Sequence, residues 1–104
     1  MEDNSEYPKW KIFFDLGKRN LELDQNLSAK NALSKSILIR QDKYSSFLYR
    51  GLANHRLNNY SEAVNDFTKS LEINDNFESY IGRGRAYNEL FDYESALKDG
   101  WLVC

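Results

Sequence analysis

Apolar side chains along this chain recur at intervals of three and four. Tyr60, Ala63, Val64, Phe67 and Leu71 give the i, i+3, i+4, i+7 spacing of one helix face, with polar residues between them. Strict alternation flanking a hairpin dipeptide is absent, so strands are not expected. One proline and five glycines in 104 residues leave few interruptions, which again favours helices. Two helices per unit are predicted, over about 9–23, 27–40, 43–57, 61–73, 77–90 and 93–103, with ends uncertain by roughly 2–4 residues. The bend before the fourth helix, residues 57–61, has Asn58 and Asn59 for the turn and Ser61 as the expected N-cap, and Asn74, Asp75 and Asn76 close that helix.

The units repeat. Ala29, Ala63 and Ala96 lie 34 and 33 residues apart, as do Gly17, Gly51 and Gly84, and the aromatics Phe13, Phe47 and Tyr80. In each unit the aromatic precedes the glycine by four, so the two share a helix face. A mid-helix glycine costs about 1 kcal/mol relative to alanine. It is retained where a second backbone comes close, so the glycine and the small alanine of the next helix mark where the paired helices cross. Phe13, Phe47, Phe67, Leu71 and Tyr80 are expected in the core.

These residues resemble the tetratricopeptide repeat, a 34-residue helix–turn–helix unit that stacks into a superhelix. The second unit carries the pattern in Phe47, Gly51, Tyr60, Ala63 and Phe67, and the third in Tyr80, Gly84, Tyr87, Tyr93 and Ala96. The first, with Phe13, Leu16, Gly17, Ala29 and Leu33, has Asn26 where an aromatic is usual. Gln41 and Asp75 stand where the family often has proline, and Gly100 where the third unit should have an aromatic. The resemblance implies an all-α superhelix of three antiparallel helix pairs, about 10–42, 43–76 and 77–104, after an acidic, disordered lead-in over 1–9. The third unit is truncated or degenerate. No polar capping helix follows Trp101, Leu102 and Val103, although solenoids normally need one. Either the chain is an excerpt of a longer array, or those three residues pack on a partner.

Composition narrows the function. The 14 basic and 16 acidic residues nearly balance, giving net charge -2, which argues against a nucleic-acid or membrane-surface binder. No apolar run approaches the ~18 residues of a membrane span, and the acidic start does not read as a signal peptide. A single cysteine at position 104 points to a reducing, cytoplasmic setting. Nothing supports an enzyme, a cofactor or a metal site: His55 and Cys104 are the only residues of their kinds and belong to different units. Gly82-Arg83-Gly84 falls inside a helix in the repeat register, so it is not a phosphate loop.

What the resemblance implies instead is a non-catalytic interaction module that holds a peptide or helix of another protein in a concave groove lined by the first helix of each pair. The positions expected there are Lys11, Phe14 and Lys18, then Leu48, Tyr49, Leu52, His55 and Arg56, then Ile81, Arg85 and Asn88. They form an apolar and aromatic strip with basic points at Lys18, Arg56 and Arg85, suited to a partner with apolar anchors and an acid. Phe14, Leu48 and Ile81 read equally well as packing between neighbouring helices. Tyr49 and Arg85 are of the types that concentrate binding energy. The family's clamp for the Glu-Glu-Val-Asp terminus of heat-shock chaperones maps onto Phe14, Lys18, Tyr49, Glu78 and Gly82. Only Lys18 is basic, so no clamp is expected. The alternative is a structural scaffold that self-associates through Trp101, Leu102 and Val103.

Overall fold

A computed structural model describes residues 7–90. Five helices follow one another: α1 (Lys9–Glu22), α2 (Asn26–Ile39), α3 (Tyr44–Arg56), α4 (Tyr60–Ile73) and α5 (Phe77–Glu89). Each end lies within a residue of its predicted position, because caps and turn residues fix them locally. The sixth predicted helix, with Tyr93 and Ala96, lies outside the described residues, as do Trp101, Leu102, Val103 and Cys104. None of the described helices is long and apolar enough to cross a membrane.

Turn chemistry sets the pairing. α1 ends with Asp24 in the left-handed region (φ 62°) and α3 with Asn58 likewise (φ 65°). Gln25 N then donates to Asn20 O at 2.8 Å, and Asn59 N to Asn54 O at 2.8 Å. These bonds satisfy carbonyls that the helix leaves open, in the manner of a Schellman turn, with Asp and Asn tolerated where glycine is usual. The N-cap of α4 is Asn59, not Ser61, which lies inside the first turn. Asn76 caps α5, its side chain accepting from Ser79 N at 2.8 Å.

Each helix packs on the next, and α1 touches α3 as α3 touches α5, so these three line one side of the molecule and α2 and α4 the other. Among the described residues, two clusters form much of the core. Phe14, Leu21, Ala29, Leu33 and Ala53 form one, and Leu48, Ala63, Phe67 and Ala86 the other. Two of the repeat glycines, Gly17 and Gly51, admit the facing helix as expected. A Cβ at Gly17 would stand 2.5 Å from Leu33 Cγ, and one at Gly51 2.8 Å from Phe67 Cε1. Gly82 presses on the same ring, 2.5 Å from Cζ on that measure.

Three expected core residues are not fully enclosed. Phe13 and Leu71 are half-buried. Tyr80, in register with the buried Phe47, is 37% exposed, and its hydroxyl reaches Asp75 Oδ1 at 3.5 Å. A phenol keeps its polar tip wet where a phenyl ring goes under.

Candidate interaction face

The side built from α1, α3 and α5 carries a depression of about 350 Å³ between α3 and α5. Leu48, Tyr49, Leu52 and His55 enter it from α3, and Glu78, Ile81, Gly82 and Arg85 from α5, with Phe67 of α4 behind them. The spacing explains the assembly: residues 48, 52 and 55 on α3, and 78, 81, 82 and 85 on α5, repeat at three and four and so share a helix face.

Tyr49 joins this depression to α1. Its ring stands edge-on to Phe14 at 5.6 Å, and Lys18 Nζ lies 5.5 Å from both ring centroids. The ammonium is therefore held over two aromatic faces, an attraction worth roughly 0.5–1 kcal/mol at an exposed site. Lys11 lies beside Phe14 at 5.7 Å and pairs with Asp15 at 3.4 Å.

Several expected groove residues serve the fold. Phe14 and Leu48, 8% and 6% exposed, belong to the core, and Leu48 also lines the depression. Arg56 Nη1 donates to Leu21 O at 3.0 Å, closing the end of α1 from the next repeat. Asn88 is half-buried and stands outside the depression. Glu78, a mismatched position for a carboxylate clamp, lines it as well.

His55 sits at one end of this depression, its ring edge-on to Tyr60 at 5.2 Å, and its Nε2 is buried without a hydrogen-bond partner among the described residues. Burial pushes its pKa below the ordinary 6.5; Glu89 opposes the shift and Arg85 adds to it. The unfolded chain therefore takes up a proton more readily than the folded one. His55 contributes stability that is full above 6.5 and is lost as pH falls below it. Urea titrations at stepped pH should show that loss, and His55→Gln should flatten it. An unchanged slope in the variant would assign the pH dependence to other groups.

No group of three or more His, Cys, Asp and Glu side chains suited to a metal ion occurs among the described residues. The fold is thus a stack of antiparallel helix pairs presenting an apolar, aromatic face with cations along it. That class is the tetratricopeptide-repeat solenoid: residues 46–77 match the tetratricopeptide-repeat family model, and the described helices on either side continue the same fold. The human protein Tetratricopeptide repeat protein 6 is 44% identical over 48 residues, which are 45% of this chain and 9% of that protein. The chain therefore spans less than a tenth of that relative's length. The Arabidopsis OM64 TPR domain superposes with a TM-score of 0.85 at 24% identity, over 86% of this chain and 75% of that one. The second TPR of Spaghetti (RPAP3), bound to the HSP90 peptide SRMEEVD, gives 0.87 at 18% identity, over 91% and 89%. At such identities the likeness concerns the fold.

Proposed function

We propose that this chain is a non-catalytic protein–protein interaction module, an adaptor or scaffold element that seats a peptide or helix of another protein along α1, α3 and α5. The observation that carries the reading is the apolar depression between α3 and α5, with Arg85 in its lining and the Lys18–Tyr49 stack beside it. A ligand with one large apolar side chain and an acidic neighbour matches that surface, the former displacing water from Leu52 and Ile81 and the latter meeting a cation. A carboxylate clamp for a chaperone terminus is not part of this reading. Glu78 stands where the clamp needs a lysine, and its charge opposes a terminal carboxylate. The lone cysteine supports a reducing, cytoplasmic location.

Selection of peptides from a random displayed library, followed by amide-shift mapping of the winners, tests the reading. The expected winners pair an apolar residue with Asp or Glu and shift Leu52, Ile81 and Arg85. Tyr49→Ala combined with Arg85→Glu should weaken them by at least about thirtyfold, the loss typical of removing a hot spot. Winners that shift only α2 and α4, or that ignore the double variant, would sink it.

A further inference from the structure

The depression between α3 and α5 has two unlike ends. Leu52, Ile81 and the ring of Phe67 give it hydrocarbon walls, and Glu78, Arg85 and His55 supply its charged and imidazole groups. Gly51 and Gly84 hold the same place in their repeats, so α3 and α5 compare residue by residue. Counted from those glycines, His55 stands four after, Arg85 one after and Glu78 six before. Arg85 therefore shares the His55 end, while Glu78 lies about two turns away, roughly 10 Å along the helix. A basic end and an acidic end are thus separated by an apolar stretch on which one side chain of a partner can rest.

The His55 end also holds a polar atom without a partner. Nε2 is buried, and no described residue bonds to it. The ring stands edge-on to Tyr60 of α4 at 5.2 Å. Burial keeps it neutral; of the two α5 charges that act on it, Glu89 favours a proton and Arg85 opposes one. Arg56, its neighbour on α3, is drawn away to Leu21 O at 3.0 Å. His55 lies in the last turn of α3, where the helix dipole favours a cation. A carboxylate brought to this end tips the balance. It offsets the push of Arg85, and because its oxygens only accept, it calls for hydrogen on Nε2 in a bond that is stronger when the ring is charged.

We propose that an acidic residue of the partner binds at the Arg85 end of this depression with His55 Nε2 as its second donor, its apolar neighbour lying on Leu52 and Ile81, and that the imidazole takes up a proton as the acid arrives. The inference rests on the groove-binding function proposed above and adds to it a direction for the ligand and a dependence on pH. An acid placed at the other end meets Glu78, so the peptide lies one way round. Affinity rises as pH falls, because binding takes up a proton. Well above the titration of the bound ring His55 is neutral in both states. Between the bound and free midpoints it is charged only in the complex, and that interval is where affinity changes.

His55 is the only histidine of the chain, so its ring signal reports one site. The test follows that signal by NMR in the untagged full chain from about pH 5 to about pH 8, the range in which an imidazole titrates. It is recorded alone and with millimolar acetyl-Gly-Phe-Asp-Gly-amide or the matching Asn peptide. The Asp peptide is expected to raise the midpoint of His55 by about one pH unit and to bind about tenfold more tightly at the acid limit than at the alkaline one. The Asn peptide shifts the same Leu52 and Ile81 amides and leaves the midpoint where it was. His55→Gln, with its fold checked by circular dichroism, keeps the binding and loses the pH dependence; the Asn peptide makes the same comparison on the unaltered chain. Equal affinity at both limits, a midpoint raised equally by both peptides, or a pH dependence that survives in His55→Gln overturns the inference. The groove reading stands in those cases if the Leu52 and Ile81 amides still shift. If neither peptide moves those amides at any pH, the reading and the inference fall together.

Discussion

Phe67→Ala is expected to cost about 3–5 kcal/mol of folding stability, the usual range for truncating an enclosed phenylalanine. Phe67 is fully buried at the centre of the second core cluster. Gly51 and Gly82 both press on its ring, from different helices, so α3, α4 and α5 meet at one side chain. Helix backbones cannot collapse into the vacated space as flexible side chains can, which puts the cost toward the upper end. A domain of this size loses roughly 4–8 °C of melting temperature per kcal/mol. A fall of about 15–30 °C in a thermal scan is therefore expected, and one of only a few degrees would show that the ring does not hold the three helices together. The glycines give a second reading of the same wedge. Gly82→Ala places a methyl group against Cζ and is destabilising alone, but should cost less in a Phe67→Leu background. That coupling is expected of groups in contact.

Asp66→Ala is the other large effect. Asp66 is 4% exposed and accepts from Arg50 Nε at 3.0 Å, Arg50 Nη2 at 2.8 Å and Asn54 Nδ2 at 2.9 Å. Arg50 goes on to Ser34 of the preceding repeat, so one guanidinium ties α2, α3 and α4. Breaking a buried pair from one side costs about 3–5 kcal/mol, because the surviving charge is left desolvated. The side chain of Arg50 is 25% exposed and keeps some water, which lowers the expectation here to about 2–3 kcal/mol. Chemical denaturation reads this directly. The first repeat also shows how to restore the loss: in its register Leu16 and Ala32 stand where the second has Arg50 and Asp66. Arg50→Leu with Asp66→Ala installs that pair and should recover at least half of the single variant's deficit. A double variant as unstable as the sum of its parts would mean that the network acts through something other than mutual charge compensation.

The two predictions differ in how far the sequence foretold them. Phe67 stood out beforehand, because its place relative to Tyr60, Ala63 and Val64 follows the helical period. The press of Gly82 on the same ring did not, since Gly82 is out of register with the repeat glycines and only the packing of α5 on α4 brings it there. The Arg50–Asp66 bond was equally hidden. It spans two helices 16 residues apart, and among many charged residues no local signal says which pair will meet. Tyr80 shows the reverse case, a residue whose register promised burial and whose hydroxyl kept it at the margin.

The candidate face divides in the same way. Its α3 and α5 residues were legible, because a helix carries residues three and four apart on one side whatever surrounds it. Which of them remain open was not. Phe14, Leu48 and Ile81 each stand three before a repeat glycine, yet neighbouring helices enclose the first two and leave Ile81 half-buried. Arg56 promised a free cation and instead closes the end of α1.

By itself, then, the sequence determined the period, the helix ends and the pairing of helices, since these depend on spacing and turn chemistry within some thirty residues. Only the tertiary structure decided which side chains are enclosed, which charges are joined and which faces stay open. Those outcomes depend on the distance and angle between helices, and no single helix encodes them.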